Sequence, residues 1–347
     1  PLYSLALIDL AVKALHHPGG DQAEEEANST TLHSQFETYL FYYHRDFIPS
    51  LTIQRSFLMP MRMGLWGGNV TVLNSTIMLT GGIPHSASGH IDHSARHDHI
   101  HAVYLSISRS HLGTTKKADF RLVAGDVLAV ATSTLANVTL RVEGNASIVE
   151  SNMTGQYYLG LLGNHSRVEN SHFGACYGSC VSIRSRQSAL VGSSMQTAVS
   201  VVGKFGAHLE IRDVEVFDVY TPFLQYVDED EGLATLDVTF TMVKFRNVWS
   251  AVKIDASRWK LTMQRITMED VTNSGLTLQS RNASDRGTAQ LRDVSMHSIM
   301  GVGLVLDRTI GNITGMTCRE CSVGITARAS SLNLSGVDIP GKHKQCN

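Results

Sequence analysis

Proline is scarce, at 7 of 347 residues, and glycine stands at 29. That balance excludes both a collagen-like chain and a Pro-rich disordered one. Charge is scarce as well: only 17% of residues are Asp, Glu, Lys or Arg, and the formal net charge is -2. Neutralising a phosphate backbone needs clustered positive charge, so a nucleic-acid binder that works through a basic surface is excluded. No uninterrupted apolar run reaches the roughly 18 residues that a membrane-spanning helix needs. Cysteine is limited to five residues, Cys176, Cys180, Cys318, Cys321 and Cys346. An odd number, with Cys318 at an apolar slot of the repeat described below, predicts reduced packing thiols; a disulfide within either short pair stays open. Cys176 and Cys180 lie too many repeats from Cys318 and Cys321 for the four to share one metal.

What the chain does have is a repeat. From the middle onward the pattern apolar-x-apolar-x-x-apolar-x-apolar recurs. It is clearest at Leu209/Ile211/Val214/Val216, Val238/Phe240/Val243/Phe245, Leu261/Met263/Ile266/Met268, Ala289/Leu291/Val294/Met296 and Leu332/Leu334/Val337/Ile339. Weaker copies carry Ser at the third position, as in Ser166/Val168/Ser171/Phe173 and Ser188/Leu190/Ser193/Met195, and Val70/Val72/Ser75/Ile77 is an early one. Each copy is two alternations separated by a two-residue break, that is, two short strands meeting at a corner. A third alternating piece precedes them, as at Cys180–Ile183, Ala251–Ile254, Gly275–Leu278 and Gly303–Leu306. Three strands in about 23 residues make one coil of a solenoid. The predicted fold is all-β: a right-handed, single-stranded parallel β-helix of about nine or ten coils.

Residues 51–347 form the predicted β-helix domain, and residues 1–50 an N-terminal segment of helix, linker and cap. Leu5, Ile8, Val12 and Leu15 recur at helical spacing, which predicts a short amphipathic helix. Residues 1–17 lack a basic region followed by an unbroken apolar one and do not read as a secretory signal. Loop insertions are expected near 82–101, 228–232 and 281–287. The last two fall at the same point of the repeat, two coils apart, so they protrude from one edge. Their charged residues Asp228, Glu229, Asp230, Glu231, Arg281, Asp285 and Arg286 are candidate partner contacts.

A glycosidase needs two carboxylates roughly 5–9.5 Å apart. Asp213 and Asp293 share a slot but stand three coils apart, with Met242 and Arg265 between them, so they are not a dyad. Glu269 and Asp270 are adjacent, and strand geometry points them to opposite sides. The chemistry-bearing candidate is the His-rich stretch: His85, His90, His93, His97, His99 and His101, with Asp92 and Asp98. His97, His99 and His101 alternate, which would put three imidazoles on one side of a strand, suited to Zn²⁺ or Ni²⁺. The other reading of the stretch is an exposed polar loop, and no metal or cofactor is predicted beyond these candidate ligands. Ten Asn-x-Ser/Thr triplets occur, at Asn28, Asn69, Asn74, Asn137, Asn145, Asn152, Asn164, Asn282, Asn312 and Asn333. With 14 Asn and Ser plus Thr near 18% of the chain, chance gives two or three. The excess reflects either a glycoprotein or the outward alternation of Asn with Ser/Thr in a Ser/Thr-rich solenoid.

The stretch from Arg55 to Gly81 contains Met-Pro-Met-Arg-Met-Gly-Leu-Trp-Gly-Gly-Asn-Val-Thr-Val-Leu-Asn and closes on Thr80-Gly81. It resembles a segment of the large early-region transforming protein of mammalian adenoviruses. The coils from Asn164 to Ile183 are similar to that family's repeat. The chain lacks the Cys-richness and long acidic termini of that protein, and is closer to the related capsid protein of atadenoviruses. The resemblance runs as a pattern over about residues 36–340 and at motif level only over 55–81. It implies a non-enzymatic role: a trimeric β-helix forming knobs on the virion surface, contacting hexons and stabilising the capsid, with assembly in the host nucleus. It carries over no catalytic residue. Two other functions remain open from the residues alone: a secreted β-helical polysaccharide lyase or hydrolase, and an attachment spike that binds host glycans.

Overall fold

A computed structural model describes residues 5–8, 11–13, 39–40, 48–59, 62–79, 99–114, 120–176, 180–202, 207–227, 235–281 and 286–340. Over these residues the chain is all-β, a parallel β-solenoid of about 11 turns. Every strand pairing recorded within it is parallel, including Leu236–Ala256 on Trp259–Ser280, and Trp259–Ser280 on Gly287–Asp307. The chain divides into two compact units, Pro1–Gly144 with Ser151–Tyr158, and Asn145–Glu150 with Leu159–Asn347.

The two-residue break of the repeat has a backbone cause. Its second residue takes a left-handed conformation, with φ between 47° and 56° at Arg55, Asn74, Arg109, Thr132, Glu150, Asn170, Asp213, Met242, Arg265 and Asp293. Gly192, Gly315 and Gly336 occupy the same slot with positive φ. One left-handed residue swings the chain through a corner without ending the ladder. The slot holding Asp213, Met242, Arg265 and Asp293 is therefore a bend position, and the carboxylates there are corner residues. In the second unit another corner follows at Asp218, Asn247, Asp270, Ser298 and Glu320, all with φ near 55°. Strands as long as Trp259–Ser280 are thus runs of three short segments bent at two left-handed residues.

The core is apolar and filled by complementary sizes. In the second unit one inward column runs Val216, Phe245, Met268, Met296, Cys318 on successive coils. The facing column from the third segment runs Phe223, Ala251, Gly275, Gly303, Gly324. A Cβ at Gly275 would sit 3.3 Å from the Met268 Sδ, and one at Gly303 would sit 2.7 Å from the Cys318 Sγ. The bare backbone of one column makes room for the sulfur-bearing side chains of the other.

In the first unit the residue after the corner is serine: Ser56, Ser75, Ser110, Ser133 and Ser151, all buried. The hydroxyls of Ser75, Ser110, Ser133 and Ser151 each accept the N–H of the preceding coil's serine, at 3.1 to 3.2 Å. Those of Ser56, Ser75, Ser110 and Ser133 donate to their own carbonyls two residues back. The bend turns these N–H groups away from the regular ladder, and a buried N–H needs an acceptor. In the second unit Ser171 and Ser193 repeat the contact at 3.1 Å. Val214, Val243, Ile266 and Val294 then take the slot.

Three expectations are corrected. Leu5–Ile8 and Ala11–Lys13 are strands, parallel to Ile48–Gln54 and Phe57–Met59, where a helix was expected. Leu5 and Leu7 lie in register with the buried Leu51 and Ile53, so a ready-made strand edge overrides the helical spacing. The solenoid accordingly begins before residue 51. The turns also exceed nine or ten, because Ser-bearing coils upstream repeat the pattern at Leu51/Ile53/Ser56/Leu58, Leu105/Ile107/Ser110/Leu112 and Leu128/Val130/Ser133/Leu135. The third correction concerns the cysteines and is taken up with the site.

Candidate functional site

Both predicted insertions leave the solenoid at one register position. Val227 is aligned with Asp255, which is aligned with Gln279, so the segments after Val227 and after Ser280 start two coils apart on the same edge. Asp228, Glu229, Asp230, Glu231 and Asp285 lie outside the described residues. Arg281 is exposed and fixed: its Nε stands 3.1 Å from the Asp255 Oδ1, and its carbonyl accepts from the Arg308 Nη1 at 3.1 Å. Arg286 is exposed.

Of the alternating histidines, His97 lies outside the described residues, as do His85, His90 and His93. His99 and His101 lead the strand His99–Ser108 with their side chains on the same, outward side. Their close neighbour is Trp66, in register with His101. The Trp66 ring lies 4.3 Å from the His101 ring and meets His99 edge-on at 5.7 Å. Burial holds the His101 imidazole below its ordinary pKa; Glu143 opposes that shift and His99 adds to it. Trp66 is 49% exposed for all this contact. Arg141, two coils on in the same column, pairs with Glu143 at 3.1 Å. Among the described residues no three His, Cys, Asp or Glu side chains come together as a metal site.

A feature missed in the sequence lies on the second unit. The column Val219, Val248, Val271, Ile299, buried and continued by the half-exposed Cys321, is followed on each coil by an outward residue, and these are Tyr220, Trp249, Thr272, Met300 and Ser322. Tyr220 is 81% exposed, Trp249 46% and Met300 72%. Three large apolar side chains stacked on one edge, at about 4.8 Å per coil, form a stripe rather than isolated exposures. No regular pattern marks it, because Thr272 and Ser322 interrupt it and an extra residue (Thr221, Asn273, Gly301) enters some coils just after it. Carboxylates nearby serve in ion pairs: Glu269 with Lys244 at 3.3 Å, and Glu215 with Arg246 at 4.0 Å.

The cysteines are oxidised, against the expectation of reduced packing thiols. Cys176 bonds to Cys180 and Cys318 to Cys321. Cys318 does fill an inward slot and is buried, but its sulfur reaches across the left-handed corner at Glu320 to Cys321. Cys346 lies outside the described residues. Disulfides of this kind persist in oxidising environments.

Compared with known proteins, the chain matches no family model, no curated protein and no solved structure.

Proposed function

We propose that the protein is a non-enzymatic structural solenoid that associates with further copies of itself. In the form implied by the resemblance, it is a homotrimer on a virion surface that contacts hexons and stabilises the capsid. The observation that carries self-association is the stripe of Tyr220, Trp249 and Met300. Parallel coils hold these side chains on one edge of the stack, so a rotation axis parallel to the stacking direction sets identical residues of each copy at equal heights. Covering the stripe removes apolar area from water at roughly 25 cal/mol per Å². Light scattering is expected to give three times the chain mass of 37.9 kDa. Trp249→Ser together with Tyr220→Ser is expected to yield a folded monomer, checked by circular dichroism. A wild-type monomer that persists on concentration would sink the proposal, as would a double variant that still elutes as a trimer.

A second reading, a glycan-binding attachment protein, is favoured by Trp66. This ring is held open by His101 and His99 on an outward sheet face and offers an apolar face for a sugar ring. Loss of binding to a glycan array in Trp66→Ala, with self-association intact, is its test.

A further inference from the structure

The ten Asn-x-Ser/Thr triplets separate by structural position. Asn28 and Asn282 lie outside the described residues. Asn69, Asn74, Asn145, Asn164, Asn312 and Asn333 are exposed. Outward alternation accounts for Asn69, Asn145, Asn312 and Asn333, each in a strand beside a hydroxyl residue on the same face. It does not account for Asn74, which sits at a left-handed corner, or for Asn164, whose partner Ser166 points inward and is buried. The Asn145 side chain accepts the His165 N–H through its Oδ1 at 3.3 Å, an arrangement that leaves Nδ2 outward.

Asn137 and Asn152 differ. The Asn137 Nδ2 donates to the Thr114 carbonyl at 3.0 Å, and its Oδ1 accepts the Gln156 N–H at 2.8 Å. A Cβ on Gly155 would fall 2.3 Å from that Oδ1, so the amide is wedged between coils. The Asn152 Oδ1 is buried. The Asn137 amide has no space for a sugar, and burial of the Asn152 Oδ1 sets that amide against the protein.

We infer that the chain is an N-glycoprotein. Glycans occupy Asn69 and Asn74, one at a time of the adjacent-coil neighbours Asn145 and Asn164, one at a time of Asn312 and Asn333, and neither Asn137 nor Asn152. The two disulfides supply the independent observation, since the compartment that attaches such glycans is also oxidising. Asn312 and Asn333 are register partners on adjacent coils, about 4.8 Å apart, too close for two bulky glycans. The donor is an oligosaccharide activated as a lipid diphosphate. The Asn Nδ2 bonds to the anomeric carbon, the bond from that carbon to the diphosphate breaks, and one Nδ2 proton passes to a base. The inference does not rest on self-association. If it holds, the protein is made in the secretory pathway, and neither the nuclear assembly nor the hexon contact implied by the resemblance applies, while self-association stands.

The test uses protein isolated from the cells that naturally make it. Its intact mass is measured before and after peptide-N-glycosidase, with peptide mapping of Asn-to-Asp conversion. Conversion is expected at Asn69 and Asn74 and, in any one molecule, at one of the pair Asn145 and Asn164 and one of the pair Asn312 and Asn333. Thr71→Ala is expected to remove one glycan, and Thr139→Ala none. An unmodified native mass overturns the inference, and so does Asn137 converted as fully as Asn69. Light scattering on the same material keeps the outcomes apart. An unglycosylated trimer overturns the glycans and leaves self-association standing, and a glycosylated monomer does the reverse.

Discussion

Ser110→Ala tests the reason for the serine column. The Ser110 hydroxyl accepts the Ser75 N–H at 3.1 Å and donates to the Ser108 carbonyl at 2.7 Å. Removing it leaves the carbonyl with another donor, the Asn74 N–H at 3.0 Å. The Ser75 N–H keeps none of its acceptor and stays buried. An orphaned buried N–H costs about 1–3 kcal/mol, and alanine recovers little because it fills less of the slot. Urea unfolding followed by circular dichroism should show that loss. Ser106→Ala is the control: Ser106 lies on the strand His99–Ser108 that leads into this corner, with its side chain on the outward face, and surface changes of this kind stay within about 0.5 kcal/mol. If Ser110→Ala and Ser106→Ala unfold at the same urea concentration, the hydroxyls are not supporting the corner.

Gly303→Ala would place a Cβ 2.7 Å from the Cys318 Sγ and 2.8 Å from the Gly324 carbonyl oxygen, so destabilisation of about 1–3 kcal/mol is expected in the same assay. Thiol titration of the unfolded, unreduced chain should find at most one free thiol, that of Cys346, and five after reduction. The folded His101 pKa is depressed, chiefly by burial, so the unfolded state takes up the proton first as pH falls. The contribution of His101 to stability is therefore whole above the ordinary imidazole value of about 6.5 and is lost as pH falls below it. Melting temperatures at pH 7.5 and 5 should differ less in His101→Phe than in the wild type, and an unchanged difference would count against the burial argument.

The solenoid was legible because coils repeat a chemical pattern at fixed spacing. Leu209, Ile211, Val214 and Val216 are all buried, and so are their counterparts on the next three coils, whereas the last copy, Leu332/Leu334/Val337/Ile339, has no coil beyond it among the described residues and is half-buried or exposed. The upstream coils were harder to see because their third slot holds Ser, a residue that normally signals a loop. Only the αL bend, which leaves an inward N–H needing an acceptor, explains why a buried serine belongs there. The strand Leu5–Ile8 was hidden for a different reason. Leu5, Ile8 and Val12 satisfy helical spacing while Leu5 and Leu7 satisfy strand spacing, and only the waiting edge at Leu51 and Ile53 decides between them.

The site was less legible, because periodicity states which way a side chain points and not what it meets there. Cys318 occupies the slot that holds Met268 and Met296 on earlier coils, so by position it is one more packing residue. Its bond to Cys321 depends on the corner at Glu320, which brings two positions three residues apart to a Cα separation of 5.9 Å. Cys321 in turn replaces Ile299 in a column that is otherwise apolar. The same corner turns the next residue outward, and on earlier coils that residue is Met300, Trp249 or Tyr220. One local geometry thus places both the disulfide and the exposed stripe. Substituting Cys321 with the isoleucine of the preceding coil should remove the crosslink while keeping the stripe, since the corner is made by the left-handed backbone at Glu320 and not by the sulfur bond.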